Sequence, residues 1–152
     1  MKKIHQPYHR RVANALDRFA AVGKKPILLA IHSFTRALRQ TGDERECELG
    51  LLFNRDERFA KAMLTEVNAS FPKIKASLNE PYTVDDLSDY SIPVHGERRG
   101  LPHVLIEIRN DLISNEAGQL LWADIISRTA RAAAGRLGLE QNCSRSGSLP
   151  HV

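Results

Sequence analysis

The stretch PILLAIHSFTR, residues 26–36, is the segment that best predicts the fold of this chain. Five consecutive apolar residues lead to His32, and hydroxyl-bearing side chains follow it at once. A short continuous apolar run is typical of a strand that is covered on both faces, as in a parallel sheet. In such sheets ligands bind beyond the carboxyl ends of the strands, so His32 stands where a functional side chain is expected.

Two further apolar runs have the same character, ELGLLF at residues 48–53 and HVLIEIR at residues 103–109. Segments with apolar residues at helical spacing lie around them, at residues 8–23, 54–71 and 110–138. Helices that alternate with buried strands predict an α/β fold, in which helices flank a mostly parallel sheet.

The length and composition indicate one globular domain. The chain has 152 residues, of which 42% are hydrophobic and 26% charged, which is ordinary for a folded protein. We expect a single domain over residues 1–140 and a polar tail over residues 141–152. Cys47 and Cys143 lie far apart and without metal-ligand spacing, which indicates reduced thiols and a cytoplasmic protein.

The charge pattern argues against two classes of partner. The net charge is +4, but 18 acidic residues are interspersed with 22 basic ones, so a nucleic-acid partner is not expected. No apolar run reaches the roughly 20 residues that cross a bilayer, so no membrane partner is expected either. A small-molecule substrate is the remaining class.

His32 and Glu107 are the candidate catalytic pair, because each lies near the end of its own buried strand. A neutral imidazole is the commonest protein ligand of zinc, and a carboxylate beside a metal-bound water is a natural general base. Arg109 follows two residues after Glu107 and so shares its face of the strand, where it could hold an anion. The alternatives stay open: His32 as a structural histidine, and Glu107 with Arg109 as a plain ion pair.

A family resemblance narrows these options. The segments YHRRV, LLAIHSFTR, LGLLFNRDERFA, LNEPY and VHGERRGLPHVLIEIRNDLI occur in the order seen in N-formylglutamate amidohydrolases. The resemblance extends from about Tyr8 to about Trp122. IHSF and IEIR also resemble two segments of zinc carboxypeptidases, so the resemblance implies a zinc exopeptidase-like fold whose N-terminal strands are missing.

The resemblance implies a reaction and a set of roles. The reaction is hydrolysis of the amide of N-formyl-L-glutamate, or of a related N-acyl amino acid, to formate and glutamate, a step of histidine degradation. His32 would bind zinc and Glu107 would activate the attacking water. The residues implied to contact or surround the substrate are Arg109, Asn79, Glu80, Tyr82 and His95, with Arg98 and Arg99 as further candidates for a basic pocket. NEPY can also be a plain turn, with Asn79 as its cap.

The chain departs from the family pattern at its beginning. Members of the family are nearly twice as long, and their N-terminal half supplies early strands and the first zinc ligands. A catalytic zinc generally needs three protein ligands, of which this chain clearly offers one. His5 and His9 are four residues apart, but Pro7 lies between them and no glutamate follows His5, so they are a weak metal candidate.

Two expectations follow from this departure. The activity of the isolated chain is doubtful, and a truncated, non-catalytic remnant or interaction module of the same fold is the alternative to an enzyme. Missing strands would also leave an exposed sheet edge, which a second copy or a complementing N-terminal segment could cover.

Overall fold

The computed structural model describes residues 2–37, 42, 44–87 and 89–139, with side chains from His5 onward. The predicted tail at residues 141–152, including Cys143, lies outside the described residues. The helices are α1 (Lys2–Ala21), α2 (Arg58–Ser70) and α3 (Glu116–Arg136), and the strands are β1 (Leu28–Phe34), β2 (Leu49–Leu52), β3 (Ala76–Leu78) and β4 (His103–Arg109). No described helix is both long enough and apolar enough to span a membrane.

The four strands form one sheet in the order β1-β4-β2-β3. β1 pairs with β4 in parallel and β2 with β3 in parallel, while β2 and β4 are antiparallel. The predicted α/β class is confirmed, but the sheet is mixed. An apolar run indicates that a strand is buried but does not indicate its direction. The antiparallel pairing of β2 with β4 could therefore not be predicted from these runs.

The prediction that β1 is covered on both faces is wrong. Its residues are half-buried or exposed up to Ser33, and Ile31 is 60% exposed, because in the described part of the chain β1 is an edge strand. β1 also continues to Phe34, so His32 lies within the strand and not beyond its end. β4, in contrast, is buried from His103 to Ile108 because strands lie on both of its sides.

The two faces of the sheet differ in what covers them. One face packs against α2 and α3 in the main core, which includes Leu49, Leu51, Val104, Ile106, Met63 and Trp122. The opposite face carries a smaller apolar cluster of Leu52, Val84, Ile92 and Leu105. Two of those residues, Val84 and Ile92, come from the long segment between β3 and β4, so this segment covers the second face.

Helix α3 packs against the core through one stripe of its surface. Leu120 and Leu121 are 65% and 57% exposed, whereas the buried residues are Trp122, Ile125, Ile126, Thr129, Ala130, Ala133 and Ala134. Their spacing of three and four residues is that of one helical stripe. Asn115 caps the helix by accepting a hydrogen bond from the backbone N–H of Gly118 at 2.9 Å.

Ion pairs fasten the long segment between β3 and β4 to the chain that follows β2. The guanidinium of Arg55 contacts Asp86 and, at 2.6 Å, Glu97, and the backbone N–H of Arg55 donates to Glu97 at 2.7 Å. A π-helical turn at Ser91–Gly96 lies within this segment. The long segment therefore contains helical turns, and the apolar runs of the sequence did not reveal the short strand β3 that precedes it.

Gly50 allows the segment after β3 to approach β2 closely. A Cβ atom at residue 50 would lie 1.9 Å from the backbone oxygen of Glu80. We expect Gly50→Ala to lower the free energy of unfolding by roughly 1–3 kcal/mol or more, because backbone would have to move. Urea denaturation of the variant, with Ser33→Ala at an exposed strand position as control, measures this. Equal stability of the two variants would contradict the close approach.

Candidate functional site

A row of residues crosses the sheet and brings the predicted catalytic pair together. His32 on β1 is the register partner of Glu107 on β4, and Glu107 is in turn the register partner of Gly50 on β2. Register partners on neighbouring strands project from the same face of a sheet. The row lies on the face that the long segment covers, and Gly50 leaves space beside Glu107 where the backbone of Glu80 passes.

Glu107 is a buried carboxyl group with one uncommitted oxygen. It is 6% exposed, and its Oε2 atom has no hydrogen-bond partner among the described residues. Burial raises the pKa of Glu107, the charge of Asp89 adds to this rise, and His32 and Arg45 oppose it. A buried carboxyl with a raised pKa and an open acceptor position can accept a proton from a water molecule and release it again.

His32 is open to a ligand. Its side chain is exposed, and it lines a cavity of about 320 Å³. The other residues that line this cavity are His5, Tyr8, His9, Asp89, Tyr90, Ser91 and Leu105. Side chains of α1, of β1 and of the long segment between β3 and β4 therefore meet at this cavity.

A pair of imidazoles lies beside this cavity. Nδ1 of His9 is 3.0 Å from Nε2 of His95, which is 2% exposed, and the rings of His5 and His9 are 4.3 Å apart. Burial lowers the pKa of both His9 and His95. The charge of His5 lowers the pKa of His9 further, and the charges of His9 and Arg99 lower that of His95 further. His95 lines an adjoining cavity of about 600 Å³ together with Arg10 and Arg99. His95 therefore contacts the candidate site through His9, which lines both cavities.

Arg109 is committed to other carboxylates. Its Nε donates to Asp111 at 2.8 Å, and its Nη2 lies 3.7 Å from Glu48. Among the described ion pairs none joins Arg109 to Glu107. The alternative that these two residues form an ion pair with each other is therefore not seen in this geometry. Arg109 also donates a hydrogen bond to the backbone oxygen of Arg45 at 3.4 Å, which links it to the loop after β1.

Arg45 is a candidate that the sequence analysis did not single out. Its Nη1 donates to the hydroxyl of Tyr82 and to the backbone oxygen of Thr35, both at 3.2 Å. Its guanidinium also lies over the rings of Tyr82 and Phe34, at 5.0 and 5.6 Å from their centroids. Its charge also opposes the rise in the pKa of Glu107.

The NEPY segment serves β2 as well as the site. Asn79 has a positive φ of 52°, its side-chain oxygen accepts from the backbone N–H of Phe53 at 2.9 Å, and its own N–H donates to Leu51 at 3.2 Å. Asn79 is therefore a backbone cap in this structure. Glu80 contributes its carbonyl beside Gly50, and Tyr82, 46% exposed, can reach a ligand.

The two arginines of GERRG have different surroundings. Arg98 is exposed. Arg99 forms an ion pair with Asp17 of α1 at 2.6 Å and lines the 600 Å³ cavity beside His95. Arg99 therefore holds α1 against the turn that carries His95.

Two of the described residues offer candidate donor atoms for a metal ion. His32 offers an imidazole and Glu107 a carboxyl oxygen without a partner. Within residues 5–37, 42, 44–87 and 89–139, no group of three or more His, Cys, Asp or Glu side chains could hold a metal ion, and this includes His5 and His9. Because a catalytic zinc takes three protein ligands, the described residues do not complete such a site.

Comparisons with known proteins agree with this architecture. The family model for N-formylglutamate amidohydrolase matches residues 1–114. The crystal structure of a gene product from Agrobacterium tumefaciens is similar, with 34% sequence identity and a TM-score of 0.79. The match covers 87% of this chain and 51% of the Agrobacterium chain, so this chain spans about half the length of that relative. No curated protein matched the sequence. The family match over most of the chain shows that it belongs to the N-formylglutamate amidohydrolase family.

Proposed function

We propose that this chain carries the general base and one metal ligand of a zinc-dependent amidohydrolase. The substrate would be N-formyl-L-glutamate or a related N-acyl amino acid, and the products formate, or another acid, and the free amino acid. Family membership supports amidohydrolase chemistry in general. The observation that carries the finer proposal is the in-register placement of His32 beside the buried, uncommitted carboxyl of Glu107.

In this proposal Glu107 moves the protons. Its carboxylate accepts a proton from a water molecule as the water oxygen bonds to the formyl carbon. The protonated carboxyl then gives that proton to the amide nitrogen as the carbon–nitrogen bond breaks. The raised pKa of Glu107 suits both halves of this cycle, because burial keeps the proton affinity of the group closer to neutral pH.

A bound zinc ion would polarise the formyl oxygen and lower the pKa of the attacking water. His32 is the described residue proposed to hold it. Since the described residues do not complete the ligand set, the further ligands have to come from outside them. The cytoplasmic location and the role in histidine degradation stay predictions from the sequence.

The carboxylates of the substrate need cations or hydrogen-bond donors. The guanidinium of Arg45 and the hydroxyl of Tyr82 are in contact with each other. They could supply a cation and a hydrogen-bond donor for a substrate carboxylate. The proposed substrate contacts of Arg109, Asn79, Glu80 and His95 stay predictions. Arg109 and Asn79 use their side chains in protein contacts, so a supporting role suits them better than direct binding.

The metal proposal is tested by zinc binding and activity together. We expect His32→Ala to lose zinc affinity at least about tenfold, because an imidazole ligand is removed. We expect Glu107→Gln to keep zinc but to lower hydrolysis of N-formyl-L-glutamate by about 10²–10⁴-fold, since the base is removed. Equilibrium dialysis with metal analysis, and an assay of released formate, measure the two effects.

Ser33→Ala is the matched control, because Ser33 is the exposed neighbour of His32 and projects from the other face of the strand. Zinc affinity that is the same in His32→Ala and Ser33→Ala would refute the ligand assignment. A chain that binds no zinc and hydrolyses no N-acyl amino acid would instead favour the non-catalytic remnant.

The buried carboxyl predicts a pH-dependent stability. The pKa of Glu107 is raised in the folded chain, so the folded state prefers the protonated group. Its favourable contribution is present below the unfolded pKa of about 4.3 and is lost as the pH rises through the higher folded value. We expect Glu107→Gln, in metal-free protein, to raise Tm by about 2–5 °C at pH 7 and to change it little at pH 4.

Thermal unfolding in the presence of a chelator checks this prediction. Glu44→Gln is the control, because the side chain of Glu44 is 68% exposed and its loss should alter Tm little at either pH. A Glu107→Gln variant that is destabilised at pH 7 by more than at pH 4 would show that the ionised group is stabilised in the folded chain.

A further inference from the structure

Helix α1 is only lightly packed against the rest of the chain. Leu16, at 8% exposed, is the one buried side chain among those described for this helix, whereas Tyr8 and Phe19 are 58% and 45% exposed. Leu16 lies in the second half of the helix, so apolar burial contributes little to holding the first half in place. His9 lies in that first half and is half-buried.

His9 contacts the long segment between β3 and β4 through a hydrogen bond between two imidazoles. Its Nδ1 is 3.0 Å from Nε2 of His95, which belongs to the π-helical turn Ser91–Gly96. The two rings are stacked with their centroids 5.2 Å apart, and the ring of Tyr90 lies 4.2 Å from that of His9. This contact attaches the first half of α1 to the turn.

The hydrogen bond depends on how many protons the two rings carry. One nitrogen has to donate a hydrogen and the other has to accept it with a lone pair, which a protonated imidazole no longer has. The bond therefore survives when one ring is protonated and is lost when both are. His95 is 2% exposed, and its Nδ1 has no hydrogen-bond partner among the described residues. A protonated His95 would thus bury a charge that no described acceptor compensates.

The groups around the two imidazoles make a second proton unfavourable. Burial lowers the pKa of both His9 and His95, the charge of His5 lowers that of His9 further, and the charges of His9 and Arg99 lower that of His95 further. The other basic or aromatic groups that line the two cavities with them are Tyr8 and Arg10 of α1, Tyr90 of the long segment and His32 of β1.

Three acidic residues lie near the pair, and each has a partner of its own. Asp17 of α1 forms an ion pair with Arg99 at 2.6 Å. Glu97 forms an ion pair with Arg55 at 2.6 Å. Asp89 accepts a hydrogen bond from a backbone N–H of its own segment at 3.1 Å. The attached state of α1 therefore favours imidazoles that are not both protonated.

We propose that the His9–His95 contact is a pH-sensitive latch, which holds the first half of α1 against the turn Ser91–Gly96 and releases it in acid. The released helix would no longer form one wall of the cavity at His32, because three residues of α1 line that cavity. The latch concerns the attachment of α1, so it stands whether or not the proposed hydrolase activity is found.

The sign of the pH dependence follows from the direction of the pKa shifts. Both pKa values are lowered in the attached state, so attachment favours the unprotonated rings. The contribution of the contact is therefore present above the ordinary histidine pKa of about 6.5 and is lost as the pH falls through the lower values of the attached rings.

Release should be confined to the first half of the helix. The second half stays attached through the buried Leu16 and through the ion pair of Asp17 with Arg99, and an aspartate–arginine pair keeps both charges where histidine titrates. The first half contains Pro7, which weakens a helix from within. A short helical segment without tertiary contacts is marginal in water, so the released half should unfold locally.

Amide hydrogen exchange of the whole chain, read by mass spectrometry and corrected for the intrinsic effect of pH, tests the latch. Between pH 7.5 and pH 5.5 we expect the protection of residues 5–13 to fall at least about tenfold. The protection of α2 should change less than about twofold over the same range. The measurement needs no substrate, so its failure is distinct from failure of the proposed function.

A matched pair of variants locates the effect. Glutamine in His9→Gln can still donate or accept a hydrogen bond but does not titrate, so the loss of protection in acid should shrink to less than about threefold. Arg11→Gln is the control, because it introduces the same side chain at an exposed position of α1 that lines neither cavity. This variant should keep the full tenfold loss.

An NMR titration of the histidine rings in the unaltered chain keeps the test decisive even if His9→Gln already releases α1 at pH 7.5. We expect His9 and His95 to become protonated over the same pH range in which residues 5–13 lose protection. The latch is refuted if that protection does not depend on pH, if the acid effect is equal in the two variants, or if the two rings titrate outside that range.

Discussion

The parallel pairing of β1 with β4 is the constraint on which the candidate site depends. It fixes His32 opposite Glu107. Since the side-chain period of a strand is two residues, a slip of one residue would move Glu107 to the other face of the sheet. The backbone hydrogen bonds between β1 and β4 therefore position His32 and Glu107. The surrounding segments contribute the other residues that line the cavity.

The site is costly to fold. Burying a carboxyl group without a hydrogen-bond partner for one of its oxygens opposes folding, and a glycine on a central strand contributes no side chain to the core. Both features lie in one row across the sheet, and the apolar core on the opposite face, between the sheet and α2 and α3, offsets them. Groups that are unfavourable for stability and gathered at one place are typical of functional sites.

The β1 edge of the sheet borders two different environments. His32 and Ile31 are consecutive residues of β1 and project from opposite faces, one into a polar cavity and the other into the apolar groove. β1 therefore separates a polar environment around His32 from an apolar one around Ile31.

The sequence by itself determined the three long helical segments and most of the strands, and it singled out His32 and Glu107 as the candidate pair. Continuous apolar runs predicted β2 and β4 closely, and helical spacing predicted the buried face of α2, because both patterns are local consequences of burial. Only the tertiary structure decided that β1 is an edge strand and that β2 runs antiparallel to β4. Only it showed that Arg109 is committed to Asp111 while Arg45 contacts Tyr82 and Phe34. Strand order, strand direction and the choice of ion-pair partner depend on residues far apart in the chain, which no local pattern records.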